Sequence, residues 1–226
     1  MNTLEVKNGT KSFNDKMLLQ GINMSCSTGD VVGVFGRNGA GKSTLLKMIY
    51  GTLPADKMVL MFNRVHINPK DCIPKQLVGY LPQHDFLPKE LTVRNVIPLF
   101  NDDEKKQDAI FYAPRIAKIE NKKIGALSKG ELRYLELLLI GNLDHPFLLL
   151  DESFSMVEPL FKEIIKIFIN NLKSSKGIFI TDHYYADVLH VSTKNYLIND
   201  TTAFPINGAS DLAFHGYINN PHDIAS

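Results

Sequence analysis

The sequence predicts an α/β fold built on a mainly parallel sheet, and three observations carry that prediction. Apolar runs at 31–35, 147–150 and 178–180 are short and continuous, the pattern of strands covered on both faces. Helical stretches at 132–143 and 160–172 alternate with those runs, and such alternation places helices on both sides of a parallel sheet. Between the first run and the apolar stretch Leu45-Leu46-Lys47-Met48-Ile49-Tyr50 stands Gly36-Arg37-Asn38-Gly39-Ala40-Gly41-Lys42-Ser43-Thr44. The order is strand, glycine loop, helix.

Taken in order, the chain opens with Leu4 and Val6 alternating with polar residues, as in a strand with one exposed face. Phe13 follows in Thr10-Lys11-Ser12-Phe13-Asn14-Asp15, and the apolar pattern resumes at 18–24. Ser27-Thr28-Gly29-Asp30 reads as a turn before the strand at 31–35. Residues 58–62 and 65–67 form a strand pair, and 77–81 a short buried strand ending at Pro82-Gln83-His84. From 92 to about 121 the pattern is mostly helical, with charges at 102–106, which marks a small inserted subdomain. No linker rich in Gly, Ser or Pro, no low-complexity tract and no internal repeat interrupts the chain.

The glycine loop has the spacing G-x-x-x-x-G-K-S. Its glycines let the backbone turn tightly and aim successive N–H groups inward, making an anion-binding concavity. A helix starting near Lys42 adds unpaired N–H groups and its positive dipole end. Lys42 is expected to reach β- and γ-phosphates, and the Ser43 hydroxyl to ligate Mg²⁺.

At 226 residues, 44% apolar and 22% charged, the chain suits one large soluble domain, or one domain with a small insert. A formal net charge of +1 gives no footprint for nucleic acid, and none is expected as a partner. The two cysteines, Cys26 and Cys72, form neither a disulfide framework nor a metal spacing and are expected as buried thiols in a reducing compartment. No apolar run is long enough to span a bilayer and no signal-peptide pattern opens the chain. Membrane work is therefore expected to need a partner.

Further motifs follow in a fixed order. Gln83 comes after Tyr80-Leu81-Pro82, and Glu90-Leu91-Thr92-Val93-Arg94-Asn95 offers Thr92 as an N-cap. Leu127-Ser128-Lys129-Gly130-Glu131 opens a helix and reads also as a capping box. Phe147-Leu148-Leu149-Leu150-Asp151-Glu152 is an apolar strand ending in two carboxylates, followed by Ser153-Phe154-Ser155-Met156-Val157-Glu158. Ile180-Thr181-Asp182-His183 ends the next strand.

With the glycine loop, this series resembles the ATP-binding cassette of ABC transporters, up to about Asn199. The resemblance implies a P-loop NTPase: a mainly parallel sheet with flanking helices, an antiparallel β part near the N-terminus and a short inserted helical subdomain. One cassette would fill 1–226, with a nucleotide-binding core at about 1–83 and 142–226 and the helical subdomain with the signature motif at about 84–141. Gly36, Arg37, Asn38, Gly39, Ala40, Gly41, Lys42, Ser43, Thr44 and Gln83 would bind the nucleotide, with Phe13 stacking on adenine. Ser43, Gln83 and Asp151 would hold Mg²⁺, Glu152 would polarise the attacking water, and His183 would contact the γ-phosphate. Glu152, His183 and Lys42 would thus carry catalysis.

Ser128, Lys129, Gly130 and Glu131 resemble the signature LSGGQ and would reach ATP across from a second subunit. Lys129 and Glu131 depart from that signature, and 153–158 lacks the usual proline and ends in Glu158 rather than aspartate. The Asp-before-His order at 182–183 is one of two known in the family. What is implied is a Mg-dependent ATPase acting as a homodimer, or as a heterodimer with a related cassette. It would sit on the cytoplasmic face of a membrane through a separate permease subunit. Two alternatives stay open: a soluble cassette ATPase not coupled to transport, and a nucleotide-binding switch with little hydrolysis. Phe86, Leu87, Ile110, Phe111 and Tyr112 suit either the subdomain's own core or a groove for a permease helix. Phe204, Phe214 and Tyr217 in the tail carry no assigned chemistry.

Overall fold

A computed structural model describes residues 1–219. Residues 220–226, the end of the expected core range, lie outside the described residues. In chain order come β1 (Thr3–Phe13), β2 (Lys16–Ser27), β3 (Val31–Phe35), α1 (Lys42–Tyr50), β4 (Lys57–Phe62), β5 (Val65–Ile67) and β6 (Val78–Leu81). Then come α2 (Val93–Phe100), α3 (Glu104–Phe111), α4 (Lys129–Gly141), β7 (Phe147–Asp151) and α5 (Pro159–Leu172). The described chain closes with β8 (Gly177–Thr181), α6 (Tyr185–Val191), β9 (Lys194–Asn199), β10 (Thr202–Ile206) and α7 (Ala209–Phe214).

The larger sheet has the strand order β10-β9-β3-β8-β7-β6. It is parallel throughout except for β10, where Pro205 stands opposite Tyr196 in an antiparallel pairing with β9. Every residue of β3, β7 and β8 is buried, which is why those strands read as unbroken apolar runs. A smaller antiparallel sheet, ordered β2-β1-β4-β5, carries the alternating pattern expected of one covered face.

Helices cover both faces of the larger sheet, but unevenly. On one side α1 lies with the smaller sheet, and Leu45, Leu46 and Ile49 pack in one core with Leu4, Leu19, Leu149 and Phe179. On the other, α4, α5 and α6 bring Leu135, Leu139, Ile165 and Val188 onto Leu148, Leu150 and Ile180. The parallel strands therefore all end on one rim, between the two cores, and that rim carries the loops after β3, β6, β7 and β8.

The stretch expected as mostly helical divides into α2, α3 and a 3₁₀ turn at Ile116–Lys118. Thr92 caps α2 by accepting from the Asn95 N–H at 3.3 Å. Pro98 lies inside α2, Asn101 is extended, and Asp103 starts α3 by accepting from the Lys105 N–H. Leu87 and Ile110 are buried and Phe111 packs against their cluster, while Phe86 rests on Phe100 and Tyr112 is exposed. Three of those five aromatic and aliphatic residues thus join the buried cluster that runs on to α4 and the larger sheet.

Cys26 and Cys72 are free and buried. Among the described residues no helix is long and apolar enough to cross a membrane.

Candidate active site

The loop between β3 and α1 owes its shape to its glycines. Gly39 and Gly41 have φ of 79° and 101°, which residues with a Cβ adopt only with strain. A Cβ at Gly41 would also come within 2.8 Å of Leu19 Cδ2. No side chain caps α1, so its first N–H groups keep no side-chain partner and suit an anion. Lys42 is nearly buried, and its ammonium donates to the Gly36 carbonyl at 2.6 Å and the Arg37 carbonyl at 3.4 Å. Burial pulls the Lys42 pKa down, and Glu152, Asp151 and Asp182 oppose that pull.

Asp151 ends β7 in full burial. Its Oδ1 accepts from the Ser43 hydroxyl at 3.0 Å and the Thr181 hydroxyl at 2.7 Å, and its Oδ2 from the Tyr80 hydroxyl at 3.1 Å. Burial, and then the Asp151 charge, push the Tyr80 hydroxyl pKa up. Glu152 follows in a left-handed conformation, φ 57°, with its N–H donating to the Thr181 carbonyl at 2.8 Å. The Glu152 carboxylate lies 3.0 Å from His183 Nε2. Residues 38–44, Gln83, Glu152 and His183 line one cleft of about 390 Å³.

Asp182 is wholly buried and accepts three bonds: from the Phe154 N–H at 2.6 Å, the Ser155 hydroxyl at 3.0 Å and the Tyr184 N–H at 3.0 Å. Burial pushes its carboxyl pKa up, against the pull of those donors. This carboxylate ties the segment after Glu152 to the segment holding His183.

The signature-like turn stands apart from the cleft. Ser128 Oγ accepts from the Glu131 N–H at 3.2 Å, and Glu131 Oε2 accepts from the Ser128 N–H at 2.8 Å. That reciprocal pair is a capping box opening α4. Lys129 is ion-paired to Asp85 at 2.7 Å and Glu131 to Lys122 at 3.0 Å. Gly130 lies close to the Phe161 ring, which a Cβ would approach to 3.2 Å. Ser128, Lys129, Gly130 and Glu131 do not line the cleft, nor does Phe13. Phe13 is half exposed at the tip of the β1–β2 hairpin, with the Lys11 ammonium 5.2 Å from its ring centroid.

A family model described as ABC transporter matches residues 19–155, more than half of the chain. The chain belongs to the ABC transporter family. The lipopolysaccharide export system ATP-binding protein LptB of Escherichia coli (strain K12) is 28% identical over 211 residues, covering 88% of each chain. An ABC transporter ATP-binding protein of Rhizobium meliloti (strain 1021) is 30% identical over 234 residues, 96% of this chain and 82% of that one. Among solved structures, a nucleotide-free ATP-binding cassette from an ABC transporter superposes with a TM-score of 0.81 at 22% identity, covering 100% of this chain and 99% of that one.

This ABC chain is thus a nucleotide-binding, ATP-hydrolysing subunit, and such subunits work with membrane permeases. Motif reading missed several residues of the cassette. Tyr80 and Thr181 reach Asp151 only through strand register, and Asp182 was visible only as a neighbour of His183. The tail carried no motif, yet Arg37 donates to the Gly216 carbonyl at 2.8 Å. The Tyr217 ring packs 6.2 Å from Phe35 and 6.5 Å from Tyr185. Gly36 and Arg37 accordingly line a second hollow with His183, Tyr185 and Tyr217.

Proposed function

We propose that this ABC subunit hydrolyses ATP with Mg²⁺ in a site completed by a second cassette, and that the cycle drives a separate permease. One observation carries the reading: the phosphate loop, Gln83, Glu152 and His183 face one cleft, with Asp151 held against Ser43 behind it. Phosphoryl transfer asks little covalent chemistry of a protein and depends on positioning and charge stabilisation.

In this reading, the N–H groups of residues 38–44 and the Lys42 ammonium hold the β- and γ-phosphates. Glu152 orients and polarises the attacking water. His183 hydrogen-bonds the γ-phosphate and responds to its departure. Phe13 stacks on the adenine. The donor set fits a hard cation with few protein ligands, because Ser43, Asp151 and Gln83 offer only oxygens. Those three residues would hold Mg²⁺, which neutralises phosphate charge when bound. Ser128, Lys129, Gly130 and Glu131 would approach the γ-phosphate of the other subunit's ATP from α4. The second cassette is a copy of this chain or a related one, and the assembly sits on the cytoplasmic face through the permease.

The test is Glu152→Gln. Turnover is expected to fall by about 10³-fold or more with the ATP Kd nearly unchanged, because the loop groups are untouched. The same variant in saturating Mg-ATP is expected to sediment as a dimer. Wild-type turnover removes the assignment of Glu152, and a persistent monomer removes the shared site.

A further inference from the structure

Helix α4 carries a buried charged pair that the reaction as described does not use. Arg133 and Glu136 lie three residues apart with side chains 8% and 0% exposed and Nη1 3.3 Å from Oε2. Burying two charges is costly unless their remaining donors and acceptors are also satisfied. Here they are satisfied by the backbone of the active-site segments. Arg133 Nη1 donates to the Pro82 carbonyl at 2.6 Å. Its Nη2 donates to the Asp151 carbonyl and to the Glu152 carbonyl, the latter at 3.1 Å. Glu136 Oε1 accepts from the Phe86 N–H at 3.2 Å.

The three carbonyls belong to two segments that leave the neighbouring strands β6 and β7. Pro82 precedes Gln83, and Asp151 and Glu152 end β7. Glu152 is left-handed with φ 57°, a conformation that a residue with a side chain keeps only when its surroundings over-determine it. Its N–H is held by the Thr181 carbonyl, and its own carbonyl is held by Arg133. The planar fork of a guanidinium can serve several carbonyls in fixed directions at once, which a single ammonium cannot.

We infer that Arg133 is a positioning residue for ATP hydrolysis. Its guanidinium, paired to Glu136, fixes the backbone turn that aims the Glu152 carboxylate and sets the distance from that carboxylate to Gln83. The inference rests on the reading of Glu152 as the water-orienting acid. Arg133 does not line the cleft that residues 38–44 form with Gln83, Glu152 and His183, so its loss is expected to act on turnover and to leave binding alone.

The experiment compares the full chain with Arg133→Lys and with the double variant Arg133→Met/Glu136→Gln, which leaves no unpaired buried charge. Each is also made in the Glu152→Gln background, and single-turnover rates and ATP Kd are measured on material whose fold is checked by circular dichroism. For a displaced catalytic group, kcat is expected to drop about 10- to 100-fold with KM and Kd nearly unchanged. In the Glu152→Gln background the same substitutions are expected to cost nothing more, since Arg133 works through Glu152. Wild-type kcat for both Arg133 variants, or a loss that multiplies with that of Glu152→Gln, overturns the inference while leaving the role of Glu152 standing. Wild-type kcat for Glu152→Gln alone overturns the reading beneath it.

Discussion

Asp151 accepts from side chains of three different elements, Ser43 at the start of α1, Thr181 at the end of β8 and Tyr80 on β6. Asp182, one strand over, accepts three bonds of its own and stays buried. Its raised pKa has a sign that can be tested. The folded state favours the protonated carboxyl, so the contribution of Asp182 to stability is greatest below the unfolded-state value of about 3.9 and declines as pH rises through the folded value. The unfolding free energy of the wild type, less that of Asp182→Asn, is therefore expected to grow as pH is lowered from neutral. Denaturant melts across that range check it, and a difference that stays flat removes Asp182 as the titrating group. At this scale the sequence was informative wherever the chemistry is contiguous. Residues 36–44 form one contiguous segment with glycines at fixed spacing, so they announce themselves. Tyr80 and Thr181 do not, because their approach to Asp151 depends on strand pairing: Asp151 faces Thr181 across β7 and β8, and Tyr80 faces Leu149 across β6 and β7. Register of that kind has no local signature.

At the level of single elements, α4 is the most instructive. The Ser-x-x-Glu pattern at 128–131 foretold its start, and both bonds of the capping box are formed. Ser128→Ala is expected to lower the unfolding free energy by about 1 kcal/mol, and Ser128→Thr to recover most of it. Urea titration of the three proteins measures the difference, and equal midpoints would mean that the cap contributes nothing. The strands β3, β7 and β8 were legible for a related reason: full burial on both faces removes the polar residues that would blur the run. The region from 92 to 121 was less legible. Helical composition continues through it, but Pro98 lacks an N–H to donate, and Asn101 and Asp103 offer side-chain acceptors that end one helix and begin another. Competition between helix and cap at that point is decided by packing, with Val96, Ile97 and Ile110 drawn into the core.

For the molecule as a whole, the parallel sheet followed from the alternation of apolar strands and helices. The tail did not, because Phe204, Phe214 and Tyr217 are separated by polar residues without a period. Phe204 and Phe214 both rest on His215 within the tail, whereas Tyr217 reaches Phe35 and Tyr185, far away in sequence. Tyr217→Ala is expected to reduce stability by about 1–3 kcal/mol through the apolar area exposed. It is also expected to raise the ATP Kd, since the Gly216 carbonyl that holds Arg37 is its neighbour. Calorimetry with and without nucleotide reads both effects, and an unchanged melting temperature would show the tail to be passive.

Pro205 has a consequence of its own. It stands on β10, the outermost strand of the larger sheet, and is itself exposed. A proline there offers no N–H, so a neighbouring molecule cannot zip onto that margin as one more rung. Copies of the chain are thereby steered away from fibre-like stacking along that edge.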